Sequence, residues 1–150
     1  MRLIAVNLLR IDLAGANLKG CDLTRSNLAR ANLREALLEG ASLVRTTLAG
    51  ATLAGAKLAR ADLTGANLAG ADLAWVDLTG AKVAGAILSW SNLAGSNLAG
   101  ARLTGADFTG ANLAGADFTG AKLAGADFAG AKLNKWTKGL TGWQVEGITK

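Results

Sequence analysis

The chain has no histidine, tyrosine or proline, a single cysteine and a single methionine, and aromatic residues make up only 5% of it. Without histidine it lacks the side chain most often used as a base or metal ligand near neutral pH, and its scattered carboxylates form no recognisable metal cluster. Serine and threonine are plentiful, but no base is evidently poised to activate them, so no catalytic residue, cofactor site or metal site is assigned. Cys21 has no partner for an internal disulfide, and its setting predicts a buried, inert thiol. The absence of proline suits stacked strands, each of which needs its backbone N–H. Long apolar runs are missing too. The longest uncharged stretch, Val83 to Ala101, is broken by Asn92, Asn97 and three serines, and reads as protein wall rather than a membrane span. The opening Leu3–Leu9 faintly imitates a secretion signal, but Arg10 and Asp12 interrupt it, so it is expected to stay in the folded protein, with a cytoplasmic location as the default.

What the chain does have is a beat. From Leu3 to Leu133 every fifth residue is large and apolar, with twenty-three Leu, three Phe and one Val in twenty-seven positions and no frame slip. A helix turns each such residue about 140° from the last, smearing the set over every face. A straight strand sends successive ones to opposite sides of a sheet. A chain that turns once per repeat and stacks coil on coil brings them all inside, so the period predicts an all-β solenoid.

Glycine ends seventeen of the twenty-six complete frames, where a corner falls and where a type II turn needs φ > 0. The nine exceptions are Ala5, Arg10, Arg25, Arg30, Glu35, Arg45, Arg60, Trp75 and Trp90, and these corners are expected to use a different turn. Most lie before residue 61, so the first half should be less uniform. The position two before each centre is Ala or another small residue, such as Cys21, Ser26, Thr46, Ser91 or Ser96, which lets the walls of a narrow tube close. Met1, Val6, Ile11 and Val76 are larger. The six evenly spaced glycines from Gly105 to Gly130 fall on successive corners and form no phosphate loop.

Frames such as Ala16-Asn17-Leu18-Lys19-Gly20 and Ala111-Asn112-Leu113-Ala114-Gly115 resemble the pentapeptide-repeat family, and the resemblance covers roughly residues 1–134. It implies a right-handed quadrilateral β-helix with twenty residues per coil, hence about seven coils. The solenoid is expected over 1–134 and an irregular capping segment over 135–150. With four sides, Phe108 and Phe128 should stack on one wall and Phe118 should face them, an aromatic-filled interior rather than a cofactor box.

A tube filled with Leu and Phe leaves function to the outer faces and the ends. Residues 1–60 carry nine Lys or Arg against four acids, residues 61–130 three against six, and residues 131–150 four against one. Arg25 and Arg45 fall on one corner column and Arg10 and Arg30 on the next, a cluster suited to an acidic partner, nucleic acid or anionic surface, or simply solvated. Trp75 and Trp90 replace corner glycines. With Ile87 they make a candidate interaction patch, unless each ring lies flat over adjacent Ala corners. Trp136, Leu140, Trp143, Val145 and Ile148 are candidates for covering the C-terminal end or for a homodimer contact there, as the resemblance allows. The apolar first coil is either self-covering or a surface for end-to-end contact.

The expected function is a non-enzymatic structural scaffold or protein-interaction module with an unidentified protein partner. Residues 93–133 are near enough to consensus that a designed or recently duplicated repeat fits equally well. The resemblance offers an alternative, imitation of duplex DNA to bind DNA gyrase, but that calls for an acidic surface and the formal charge here is +5.

Overall fold

The computed structural model describes residues 1–141. Its backbone is a stack of coils. The residue before each apolar centre forms a parallel bridge with the residue twenty positions on, as in Arg2–Asp22, Asn7–Asn27, Asp12–Asn32 and Asn17–Leu37. Twenty residues therefore complete one circuit of four faces. Among the described residues each bridge is isolated, and none extends into a longer strand. The reason is the beat itself, since a turn arrives before a second residue can pair.

Three hydrogen bonds recur. The centre's N–H donates upward to the next coil (Leu3 to the Asp22 carbonyl, 2.6 Å), the polar residue's N–H donates back down (Asp22 to the Met1 carbonyl, 3.0 Å), and the corner N–H donates upward (Ala5 to the Thr24 carbonyl, 2.9 Å). A fourth bond closes the corner within the coil, as from the Ile11 N–H to the Leu8 carbonyl at 3.1 Å. Asn and Asp suit the polar slot because their Oδ1 accepts the N–H two residues on, as at Asn7–Leu9 and Asp62–Thr64. Their side chains also join coil to coil, Asn32 donating to Asp12 and Asn92 to Asp72.

Every corner takes the same conformation. Gly15 to Gly130 have φ of 62–72°, and the nine other corners, from Ala5 at 54° to Trp75 and Trp90 at 59°, fall alongside them. Together with the closing bond and the absence of positive φ at the preceding residue, this is the type II pattern. The different turn expected at the nine exceptions is thus not found. The corners from Ala5 to Gly110 donate their N–H to the coil that follows, so stacking imposes the left-handed conformation whichever residue occupies them, at a cost of about 1 kcal/mol for a residue with a Cβ.

The interior is continuous from Leu18 to Ala131, and Cys21 is buried within it. Ser26 and Thr46 keep the small slot by bonding their hydroxyls to the Leu3 and Leu23 carbonyls of the coil below. Phe108 and Phe128 stack at 5.0 Å and 4°, and Phe118 meets them edge-on at 5.8 and 5.9 Å. After Leu133 one residue is inserted, and pairing continues with a step of twenty-one at Asp117–Lys138. Thr137 donates to the Leu113 carbonyl at 2.8 Å and Lys138 donates to that of Ala116 at 3.1 Å. Gly139 lies against the Phe118 carbonyl group, where a Cβ would stand 2.3 Å from its carbon. Among the described residues no helix is long and apolar enough to cross a membrane.

Two outcomes follow. Arg60→Gly should stabilise the fold by about 0.5–1 kcal/mol by relieving a left-handed non-glycine corner, and Gly85→Ala should destabilise it by about 1 kcal/mol; urea denaturation of the two variants against the parent checks both signs. The second concerns acid. At Asp62 partial burial opposes ionisation, but the Thr64 hydroxyl and N–H and then Lys82 outweigh it, and at Asp117 hydrogen bonds from Thr119, helped by Lys138, outweigh burial. Both carboxyls therefore lie below their usual range in the folded state. Their contribution is present above the unfolded value near 4 and disappears as pH falls through the lower folded value. Thermal melts from pH 7 downward should show Tm falling below about pH 4, with a shallower fall for Asp62→Asn, which keeps the acceptor for Thr64 but not the charge.

Candidate functional site

The twenty-residue circuit determines which decorated positions meet. The second face carries Asn7, Asn27, Thr47, Asn67, Ile87, Asp107 and Asp127, joined in order by bridges. One edge of this face holds the corners Arg25 and Arg45, and the other holds Arg10, Arg30 and, three coils above Arg30, Trp90. The structure thus gathers Arg10, Arg25, Arg30, Arg45, Ile87 and Trp90 on one face and its borders. Trp75 lies one edge farther round. The third face, with Asp72, Asn92 and Asn112, separates the two tryptophan edges.

The corner side chains lean in one direction, toward the coil that follows. The Cγ atoms of Arg30, Glu35, Arg45 and Arg60 lie 3.5, 3.5, 3.4 and 3.7 Å from where a Cβ would project at Gly50, Gly55, Gly65 and Gly80. Trp75 does the same over Gly95, with Cε3, Cζ3 and Cδ2 at 2.5, 2.5 and 2.8 Å from that position, and Trp90 over Gly110 at 2.6, 2.7 and 2.8 Å. Near-equal distances to three contiguous ring atoms mean that the ring presents its face, not its edge, to the glycine. The rings therefore do lie flat, over Gly corners rather than the Ala neighbours expected, yet each tryptophan remains 73% exposed and Ile87 40% exposed. The two readings of these residues are compatible: one face of the indole packs on the rod and the other is presented to solvent.

Among the described residues none of Arg10, Arg25, Arg30 and Arg45 forms an ion pair; the ion pairs are Arg2–Asp22, Lys19–Glu39, Lys82–Asp62 and Lys138–Asp117. The second face is graded as a result, cationic at its start, apolar around Ile87 and Trp90, and anionic at Asp107 and Asp127. The circuit of twenty implied by the resemblance puts the arginines on adjacent corner columns, and the bridges add that Trp90 stands on the column of Arg10 and Arg30.

The C-terminal candidates separate. Leu140 is half-buried against the core, whereas Trp136 is exposed, with its Cβ near Gly115 and Lys135 Nζ 4.9 Å from its ring centroid. Trp136 therefore covers little of the core, because the inserted residue leaves it outside the frame while Thr137 takes the inward slot. Trp143, Val145 and Ile148 lie outside the described residues. Among the described residues no group of three or more potential ligands is arranged to hold a metal.

The model of the pentapeptide repeats matches in eight copies, over residues 7–43, 46–83, 71–110, 86–123 and 101–135. Similar solved structures include HetL, a pentapeptide repeat protein involved in heterocyst differentiation regulation in the cyanobacterium Nostoc. It is 34% identical, over 87% of this chain and 75% of that one, with a TM-score of 0.31. A pentapeptide repeat protein of the Arabidopsis thaliana thylakoid lumen is 30% identical over 87% and 70%, with a TM-score of 0.41. QnrB1, a plasmid-mediated fluoroquinolone resistance protein, is 18% identical over 99% and 88%, with a TM-score of 0.42. No curated protein sequence matches the chain. The repeat, its twenty-residue circuit and the family match over most of the length agree: this chain belongs to the pentapeptide-repeat family.

Proposed function

We propose that the chain is a non-enzymatic interaction scaffold, a rod of about seven right-handed coils that binds a protein partner through its second face and the adjoining tryptophan edge. The observation that carries this reading is the pair of indole rings fixed on glycine corners with their outer faces free. A ring already packed on one side loses little conformational freedom on binding, which suits it to anchor a contact. The uncompensated arginines on the same face favour an acidic segment of the partner, and Asp107 and Asp127 at the far end orient it. The DNA-mimic alternative calls for a strongly acidic surface, whereas the formal charge of the chain is +5 and the arginines bordering this face are uncompensated.

The test compares proteins captured by the purified chain with those captured by Trp75→Gly/Trp90→Gly and by a variant with Ala at Arg10, Arg25, Arg30 and Arg45. A specific partner should be lost from the tryptophan variant and released from the parent by added salt. Gly95→Ala and Gly110→Ala, which displace the rings without removing them, should weaken capture of the same partner. An identical set of captured proteins from all variants overturns the reading. Protection of gyrase supercoiling from a quinolone by the parent chain would establish the DNA-mimic alternative in its place.

A further inference from the structure

The second face is complementary to itself. Four arginines border its first coils, Arg25 and Arg45 on one edge and Arg10 and Arg30 on the other, while Asp107 and Asp127 lie in its polar column three and four coils beyond Thr47. Between these charges stand Asn67, Ile87 and Trp90, the last two with their side chains 40 and 73% exposed. Among the described residues none of the four arginines and neither aspartate is in an ion pair. Asp107 and Asp127 accept the N–H groups of Thr109 and Ala129 at Oδ1, which leaves Oδ2. Cation, apolar centre and anion thus follow in order along one strip.

We infer that the partner of this face is a second copy of the chain, laid alongside the first and antiparallel to it; the inference rests on the proposed function, which makes this face the binding surface. A two-fold axis crossing the strip reverses the direction of the second rod and brings each edge onto its own copy. Placed between Asn67 and Ile87, the axis sets Asn67 against the partner's Ile87, Thr47 against the partner's Asp107, and Asn27 against the partner's Asp127. Arg45 and Arg25, the corners just before Thr47 and Asn27, then meet those two aspartates, and symmetry repeats each pair. A parallel arrangement would set arginine on arginine and aspartate on aspartate. Charge therefore selects the antiparallel one.

Shape agrees with charge. In this register the corners facing Arg25 and Arg45 are the partner's Gly125 and Gly105, and Trp90 faces the part of the partner's edge that holds Gly50 and Gly70. Nothing lies within 4 Å of where a Cβ would project at Gly70, so the outer side of the indole finds a bare corner to pack on. Sliding one rod by a coil loses the fit. In one direction the two Trp90 rings oppose each other, and in the other Arg45 moves from the partner's Asp107 to its Gly85. Six coils in register at ~4.8 Å each give a contact about 29 Å long, at the small end of specific interfaces, so the dimer is expected to be reversible. Trp75, one edge farther round, stays outside it.

Sedimentation velocity on the full chain should show a dimer whose fraction grows with concentration and falls with added salt. Arg25→Asp with Arg45→Asp, or Asp107→Arg with Asp127→Arg, should weaken self-association by about tenfold or more, and mixing the two charge-reversed chains should restore it, because each then offers the charge the other needs. Trp90→Gly should weaken the dimer by about tenfold, whereas Trp75→Gly should leave it intact. Under mild oxidation, chains carrying Thr47→Cys should cross-link to chains carrying Asp107→Cys far faster than to one another, with the buried Cys21 contributing nothing. Circular dichroism melts verify that each variant is folded. A chain that stays monomeric up to about millimolar concentration, charge-reversed chains that associate no better mixed than alone, a dimer indifferent to Trp90→Gly, or Thr47→Cys chains that cross-link as fast with one another would overturn the inference. If a monomeric chain still captures a foreign protein through Trp90 and the arginines, the proposed function stands and this inference alone falls.

Discussion

The hydrogen bond from one coil to the next, repeated at a fixed step of twenty residues, is the constraint on which everything else in this molecule depends. It is made by backbone groups at the centre, polar and corner positions alike, so it is indifferent to side chains. That indifference is what the corners show. Arginine, glutamate and tryptophan adopt the same left-handed turn as glycine because bonding of each corner to the coil that follows leaves the chain no other path. The side chains decide instead whether the tube can close, and leucine beside alanine closes it.

A sealed tube displaces all chemistry to the outside. The polar slot is largely consumed by local bonding, since Asn and Asp caps satisfy turn N–H groups and tie neighbouring coils together. What remains available for recognition is therefore sparse: the corner substitutions and an occasional apolar residue such as Ile87 in a polar slot. Belonging to the pentapeptide-repeat family accounts for the scaffold and leaves these positions as the features that distinguish this chain.

Most of the interior was legible in the sequence because one physical rule, a large residue every fifth position, has a single packing solution. The paired Phe108 and Phe128 with Phe118 across from them followed once four sides were assumed. The corners were less legible, because glycine's preference for φ > 0 suggests that other residues avoid it, while stacking overrides that preference. The continuation past Leu133 was hidden for a different reason. A one-residue insertion moves Thr137 and Lys138 into their slots and puts Gly139, which carries no apolar signal, where a leucine would be looked for. The grouping of Arg10, Arg25, Arg30 and Arg45 with Ile87 and Trp90 on one face rests on the length of the circuit, which composition does not contain. How the indoles settle on Gly95 and Gly110 depends on a rotamer and a direction of lean that no residue count reveals.

The one-way lean of the corner side chains links substitutions that are far apart in the chain. A tryptophan at a corner reserves the position twenty residues later for glycine, whereas the position twenty residues earlier is under no such demand. The constraint is directional epistasis: a glycine must precede the indole in evolutionary time although it follows it in sequence. Flexible arginine escapes the rule, as Arg10 with Arg30 and Arg25 with Arg45 show, and can occupy an edge at every coil. Rigid rings can recur along an edge no closer than every second coil, about 10 Å, so the rod carries charge densely but aromatic groups only at intervals.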